Sequence, residues 1–182
     1  MRNILLTLFI IFVTSNLYAS NKENIVENLK NIKNFTFIFE QNINGKIQNG
    51  ECTIQFPKRI FCIYNTKNNK ILVSNGKSLV IKTKSSYYIY PLKKTPLNLI
   101  LDKNYLIKKL KSLDERIINE KFINYVFSDN GNEISLFFDK KTFILNGWQT
   151  FDLYQNLSIT YISPTNINNN LEKNLFKLPK RN

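Results

Sequence analysis

An alternation of large apolar and polar residues is the feature that most restricts what this chain can fold into. Within residues 35–41 (FTFIFEQ) a Phe stands at every second position up to Phe39, the spacing of a strand with one buried face. Turn-forming pairs such as Asn44-Gly45 and Asn75-Gly76 separate further segments of strand type. Because short turns join antiparallel neighbours, the sequence predicts one antiparallel meander. Its strands are expected at residues 35–41, 51–56, 60–65, 70–74, 78–82, 87–90, 116–119, 123–128, 133–139, 142–145, 150–154, 157–162 and 175–178.

Three stretches have helical rather than strand character. Residues 22–33 place their Ile, Val and Leu side chains on one helical face. Residues 95–101 (TPLNLIL) begin with a capping residue and a proline at the first helical position, and a second helical piece is expected at 105–113. A long sheet must curl or be covered to bury its aromatic face, and helices over its mouth would enclose a cavity. The predicted fold class is therefore α+β, a curled antiparallel sheet with helices over an apolar cavity.

The N-terminal segment has the composition of a targeting sequence. Arg2 precedes a short apolar run at residues 4–13, and a small residue, Ala19, follows at the expected cleavage position. We predict a secretory signal peptide at residues 1–19 and one domain at residues 20–182, the alternative being an uncleaved anchor. The residue after the cut is not Cys, and no later stretch reaches about 18 consecutive apolar residues. The sequence therefore predicts an exported, soluble protein without a lipid anchor.

The basic charge of the chain has two interpretations. Lys and Arg number 26 against 13 Asp and Glu, which gives a formal net charge of +13. Such an excess attracts anionic partners or membrane surfaces, but the basic residues are spread along the chain and form no block. The aromatic residues alternate with polar ones as in a buried core rather than on an exposed stacking surface. We therefore expect no nucleic-acid partner.

Several classes of chemistry lack the residues that they need. The chain has no His, which excludes Ser-His and Cys-His nucleophiles and His-ligated metal sites. Gly76-Lys77-Ser78 resembles the end of a phosphate-binding loop, but Ile71 stands where that motif requires Gly. The acidic residues are scattered singly, so a hydrolase that uses carboxylates alone is a remote alternative. We predict a protein that is not an enzyme and has neither metal nor cofactor.

The two cysteines, Cys52 and Cys62, lie on adjacent predicted strands and point to one face. Export to an oxidising compartment would favour a disulfide. Depending on turn length the two residues are directly opposite, which permits a bridge, or diagonal, which does not without distortion. The sequence leaves both arrangements open.

Five motifs in order resemble the LolA family of outer-membrane lipoprotein carriers over nearly the whole predicted mature chain. They are Phe35-x-x-x-Phe39-x-Gln41, Gly50 followed by Pro57-x-Arg59-Ile60, the run 71–79 (ILVSNGKSL), Tyr90-Pro91-Leu92 with Thr95-Pro96-Leu97, and Phe176-x-Leu178-Pro179. The resemblance implies an incomplete, half-open β-barrel whose apolar cavity holds lipoprotein acyl chains under a lid of helices. It also implies a periplasmic monomer that receives cargo from an inner-membrane ABC transporter and passes it to an outer-membrane LolB-type acceptor. LolB proteins carry a Cys at the cleavage site, where this chain has Ala19-Ser20, so the carrier fits better.

One departure from the family concerns how the lid is held. Family members carry an Arg just before the strand-turn proline, and this Arg latches the lid. Here Phe56 occupies that position. Arg59 or a lysine would have to replace the latch, or apolar contact alone would hold the lid.

The candidate site consists of a cavity wall and a lid. For any of these residues the alternative is ordinary core packing, because alternation shows only which face is apolar. On the same fold the cargo could instead be a glycolipid or a free fatty acid. A filled barrel acting as a protein-interaction module is the rival from another class. The predicted wall residues are Phe37, Phe39, Ile54, Ile60, Leu72, Leu79, Ile81, Phe138 and Trp148, and the predicted lid residues are Pro96, Leu97, Leu99, Ile100 and Leu101.

Overall fold

A single antiparallel sheet of 11 strands forms the body of the described chain. The structure is a computed structural model and describes residues 20–129, 131–152 and 155–181, so the predicted signal peptide lies outside it. The strands are β1 (Asn34–Ile43), β2 (Lys46–Gln55), β3 (Arg59–Tyr64), β4 (Ile71–Asn75), β5 (Ser78–Lys82), β6 (Tyr87–Pro91), β7 (Arg116–Ile118), β8 (Phe122–Asp129), β9 (Asn132–Asp139), β10 (Leu145–Phe151) and β11 (Leu157–Ile167). The helices are α1 (Asn21–Asn31), α2 (Leu97–Ile100) and α3 (Lys103–Lys111), with a 3-10 turn at Leu92–Lys94.

The strand order explains why helices cross the mouth of the sheet. The order is β6-β5-β4-β3-β2-β1-β11-β10-β9-β8-β7, so β6 and β7 are the two edges and do not pair with each other. The sheet is therefore curled but not closed. The chain between these edges carries the 3-10 turn, α2 and α3. A connection between opposite edges of a curled sheet has to span its opening, so the helical pieces predicted at residues 95–101 and 105–113 lie in the covering connection.

Register places the alternating aromatic residues on the concave face. Phe37 pairs with Cys52, Cys52 with Cys62, Cys62 with Leu72, and Leu72 with Ile81. Directly paired residues of antiparallel strands lie on the same face. The row is thus continuous from β1 to β5 and forms the base of one half of the molecule.

Helices α1 and α3 pack over the other half of the sheet. A capping box between Ser20 and Glu23 starts α1, and the Asp102 side chain accepts the Tyr105 N–H at the start of α3. The Tyr105 ring lies 6.1 Å from the ring of Phe127 on β8. The Asn28 side chain donates to the Thr142 carbonyl at 2.9 Å. The concave face of β8 and β9 is therefore filled, which leaves the β1–β6 half as the open part.

The predicted strands at residues 142–145 and 150–154 are wrong, because one strand, β10, replaces them. Asp139 Oδ1 accepts N–H groups from Lys141 and Thr142 and holds a turn there, so the strand begins only at Leu145. These bonds keep the pKa of Asp139 below its usual value. Gly147 lies within this strand. Strand β11 approaches it closely, because a Cβ at residue 147 would lie 2.5 Å from the Thr160 carbonyl oxygen. Tyr154 lies outside the described residues.

The predicted strand at residues 175–178 is also wrong. β11 continues to Ile167, five residues beyond the strand predicted at 157–162, and a turn covers residues 173–176. The C-terminal segment (residues 168–181) runs along the outer face of the sheet, where the Lys82 ammonium donates to the Lys180 carbonyl at 2.9 Å. Phe176 is buried there and is not part of the main core cluster. The apolar residues of the C-terminal segment therefore pack on the outer face of the sheet and do not add a closing strand.

Candidate functional site

A cavity of about 290 Å³ lies between the concave face of the sheet and the lid segment (residues 92–101). Its walls come from β1 to β6, β10 and β11, and Pro96 and Leu97 cover one end. Most of its surface is aliphatic or aromatic, and most of its polar groups lie at the end opposite the lid, together with Ile43 and Phe151. The complete lining is Phe37, Phe39, Gln41, Ile43, Cys52, Ile60, Cys62, Tyr64, Lys70, Leu72, Leu79, Ile81, Tyr90, Thr95, Pro96, Leu97, Trp148, Thr150, Phe151, Asp152, Ser158 and Thr160.

The structure brings most of the predicted wall residues together and leaves two of them out. Those that line the cavity are Phe37, Phe39, Ile60, Leu72, Leu79, Ile81 and Trp148. Ile54 and Phe138 do not line it, although both lie on the concave face. Ile54 is buried in the core between Phe35 and Ile60. Phe138 packs edge-on against Tyr125 in the half covered by helices. Their assignment as wall residues is corrected, because a covering layer removes both from the cavity.

Of the predicted lid residues, only Pro96 and Leu97 face the cavity. Leu99, Ile100 and Leu101 belong to the main core cluster instead, since a helix of a single turn presents only one side to the space beneath it. The expected capping role of Thr95 is wrong as well. Its hydroxyl donates to the Leu92 carbonyl at 2.8 Å, and Pro96 occupies the N-cap. The three core residues therefore anchor the lid segment.

Lys58, in the β2–β3 turn, holds the far end of the lid segment. Its backbone N–H donates to the Leu101 carbonyl at 2.8 Å, and its ammonium lies 3.2 Å from Asp102 Oδ2. Arg59 instead donates to Gln55 within the hairpin. Phe56, at the position of the family Arg, stacks against Phe35 with ring centroids 6.1 Å apart. Lys58, two residues after Phe56, thus joins the β2–β3 turn to Leu101 and Asp102.

Cys52 and Cys62 form a disulfide at the base of the cavity. The connection between Gln55 and Arg59 sets the register so that the two cysteines are directly opposite. Of the two arrangements left open by the sequence, the structure has the one that permits a bridge. The bond joins β2 to β3 in the half of the sheet that α1 and α3 do not cover.

Aromatic rings form part of the cavity wall. The Phe37 ring meets Trp148 edge-on at 6.3 Å, which joins β1 to β10. Phe39 and Tyr64 meet at 4.9 Å across Gly50, which pairs with both. A Cβ on Gly50 would lie 2.1 Å from the Ile63 carbonyl oxygen. This glycine is therefore required for the close approach of strands β2 and β3.

Sequence reasoning missed the polar end of the cavity. Gln41 donates to Ser158 and Thr160, each at 3.2 Å, and accepts from the Tyr64 hydroxyl at 3.4 Å. The Lys70 ammonium stands 3.8 Å above the centre of the Tyr64 ring. Gln41 continues the alternation of the three preceding Phe residues, and this pattern was the available signal. Nothing local separates Lys70 from an ordinary surface lysine at the start of a strand.

Burial changes the acidity of two groups at this end. Desolvation lowers the pKa of Lys70 to about 8, because the charged form loses hydration. Desolvation also raises the pKa of the Tyr64 hydroxyl above its usual value. At neutral pH the polar end therefore presents a cation and a neutral phenol.

Within residues 20–129, 131–152 and 155–181, no cluster of acidic or Cys side chains has the composition of a metal site. None of the helices in this part of the chain is both long and apolar enough to cross a membrane.

Comparison with known proteins places the chain in a family. The family model for the outer membrane lipoprotein carrier protein LolA matches residues 21–179, whereas a search of curated proteins finds no match. Solved structures with a similar fold include a LolA superfamily protein from Nitrosomonas europaea (8% identity, 88% of this chain, 99% of that chain, TM-score 0.42). Others are the lipoprotein LppX of Mycobacterium tuberculosis (8%, 84%, 95%, 0.45) and a chain of the Pseudomonas aeruginosa MucA/MucB complex (11%, 86%, 59%, 0.46). Because the family model spans nearly all of the described residues, the chain belongs to the LolA family.

Proposed function

We propose that this protein is a non-enzymatic periplasmic carrier that binds the acyl chains of lipoproteins and takes them from the inner to the outer membrane. The observation that carries the proposal is the unfilled apolar cavity beneath Pro96 and Leu97. Family membership supports lipoproteins as the cargo. The rival interpretation as a filled barrel would require this space to be packed.

The energetics of acyl chains explain why a carrier of this type is needed. Each methylene transferred to water costs about 0.8 kcal/mol, so three long chains cost tens of kcal/mol. Apolar walls offset this cost without directional contacts, and such binding tolerates chains of different length. The sequence has no ATP-binding motif, so the energy has to enter at the donor. An inner-membrane ABC transporter as donor and a LolB-type acceptor complete the proposal.

The size of the cavity supports a movement of the lid when cargo binds. A methylene takes up about as much space as a water molecule, roughly 30 Å³, so about 290 Å³ holds on the order of ten methylenes. Three complete acyl chains need a larger space. The lid segment borders the cavity through Pro96 and Leu97, and its outward movement enlarges the cavity without breaking the sheet.

Native mass spectrometry of the protein purified from its periplasm, with and without excess triacylated lipopeptide, tests the proposal. We expect a one-to-one adduct that Leu97→Glu abolishes, because a carboxylate facing the cavity is costly to desolvate. Asn98→Glu adds the same charge to the same helix at a residue that does not line the cavity, and it should retain the adduct. Circular dichroism confirms that both variants fold.

Each other outcome of this experiment changes the conclusion in a defined way. An adduct with a different lipid, and none with lipopeptide, would keep the carrier but change its cargo. Retention of lipopeptide by folded Leu97→Glu would refute the role of the lid. No adduct with any amphiphile would overturn the carrier and favour a protein-interaction module.

A further inference from the structure

The cavity is amphipathic along the strand direction. Successive rows across β1 to β4 change from apolar next to the lid to polar at the opposite end. The row that contains Phe37, Cys62 and Leu72 is apolar, and two rows further Gln41 pairs with Gln48, followed by Ile43 with Lys46. A ligand that filled this cavity would therefore place its polar part away from the lid.

Lys70 supplies a positive charge at this polar end. Its ammonium donates to Gln48 Oε1 at 2.7 Å and lies over the Tyr64 ring. An ammonium has three donors, and the ion pairs found among the described residues do not include Lys70. The other charged residue of the lining is Asp152, whose carboxylate accepts two N–H groups from Asn156. Lys70 is thus a desolvated cation held by a neutral amide and a ring.

A cation in this position is costly for the empty protein and favourable for an anionic ligand. Loss of hydration disfavours the charged form of Lys70, and the lowered pKa reflects this cost. An anion beside the ammonium would offset the cost with a charge-assisted hydrogen bond. The Tyr64 and Gln41 side chains lie next to the same position and offer further polar contacts.

We propose that the cavity binds a single-chain amphiphile with an anionic head group, whose acyl chain lies towards Leu97 and whose head group contacts Lys70. The inference rests on the proposed carrier function, since it uses the same cavity. It goes beyond that function by naming a charged head-group subsite and a ligand with one chain. The cavity volume, which holds on the order of ten methylenes, fits one chain.

The chain carries its own reporter for this test. Trp148 is the single Trp of the sequence and lines the cavity, so its emission reports occupancy. Dodecanoate, dodecyl phosphate and dodecanol share one chain length and differ only in the head group. We expect both anions to bind at least tenfold more tightly than dodecanol at pH 7, a preference that corresponds to about 1.4 kcal/mol.

Variants at Lys70 identify the source of this preference. Lys70→Met should remove the preference for the anions over dodecanol, whereas Lys70→Arg should retain it because the charge remains. Lys67→Met is the matched control, since Lys67 is exposed in the same loop and does not line the cavity. A preference for one anion over the other would separate carboxylate from phosphate head groups.

The controls separate this inference from the carrier function. Equal affinity for dodecanoate and dodecanol, or an unchanged preference in Lys70→Met, would overturn the head-group subsite. If triacylated lipopeptide still bound in that case, the carrier function would stand alone. If no amphiphile changed Trp148 emission or formed an adduct, both proposals would be overturned.

Discussion

Enlarging one cavity residue tests directly whether the space in this half of the molecule is real. Leu72 lines the cavity on β4 and is 8% exposed, and Leu136 lies fully buried on β9 beneath the helices. Replacing Leu by Trp adds six heavy atoms at either position. In a close-packed core, overpacking of this kind costs about 1–3 kcal/mol or more, because neighbours leave their preferred rotamers. At Leu72 the added atoms enter open space of about 290 Å³.

We therefore expect Leu72→Trp to change the free energy of unfolding by less than about 0.5 kcal/mol, and Leu136→Trp to lower it by at least about 1 kcal/mol. Urea denaturation followed by far-UV circular dichroism measures both values. Leu72→Trp should also weaken lipopeptide binding at least tenfold, since the new ring occupies the site. If Leu72→Trp destabilised the protein as much as Leu136→Trp, the cavity would be packed and the carrier reasoning would fail.

Three further predictions concern the bridge, the latch and Lys70. Replacing Cys52 and Cys62 by Ser should lower the free energy of unfolding by about 2.7 kcal/mol, from the loop closed by a separation of 10 residues; an unchanged denaturation midpoint would contradict this. Lys58→Met should speed lipopeptide release about two- to fivefold, because the partly exposed pair with Asp102 is worth about 0.5–1 kcal/mol; stopped-flow Trp emission measures this, and Lys93→Met on the exposed side of the lid segment is the control. The free energy of unfolding of the wild type, minus that of Lys70→Met, should rise by about 1–2 kcal/mol between pH 8 and 10.5 after discounting for partial exposure. The sign follows because the unfolded chain keeps the Lys70 proton in that window and the folded chain has lost it; a flat difference would show that Lys70 is not desolvated.

The fold could be predicted largely because the strand pattern is strong and the connections are short. Residues 78–82 were expected as a strand and form β5 without change, and the predicted Asn75-Gly76 turn precedes it. Prediction failed where a side chain or a distant strand decides the backbone. The turn held by Asp139 shifts the start of β10 to Leu145, and β11 approaches Gly147 so closely that a Cβ there would clash. Neither contact can be recognised from the spacing of apolar and polar residues around these positions.

The cavity was less predictable than the fold, since alternation identifies a face but not what covers that face. Phe39 and Phe138 have the same pattern, yet only Phe39 meets open space. The difference lies in where α1 and α3 pack, which depends on the connection between the two sheet edges. Lys70 was missed for the same reason. Its position over Tyr64 depends on the pairing of β3 with β4 rather than on its own neighbours in sequence.

The half of the sheet beneath α1 and α3 contributes mainly to stability, and the β1–β6 half contains the binding cavity. Beneath α1 and α3 the concave face is filled, and residues such as Tyr125 and Leu136 have almost no exposed surface. Dense packing of this kind contributes most of the free energy of folding. The β1–β6 half forgoes part of that packing so that a ligand can enter, and its disulfide constrains the unfolded chain instead of filling the core. A substitution that filled the cavity would therefore leave folding intact and remove binding. The same substitution under the helices would lower the free energy of unfolding without occupying the binding site.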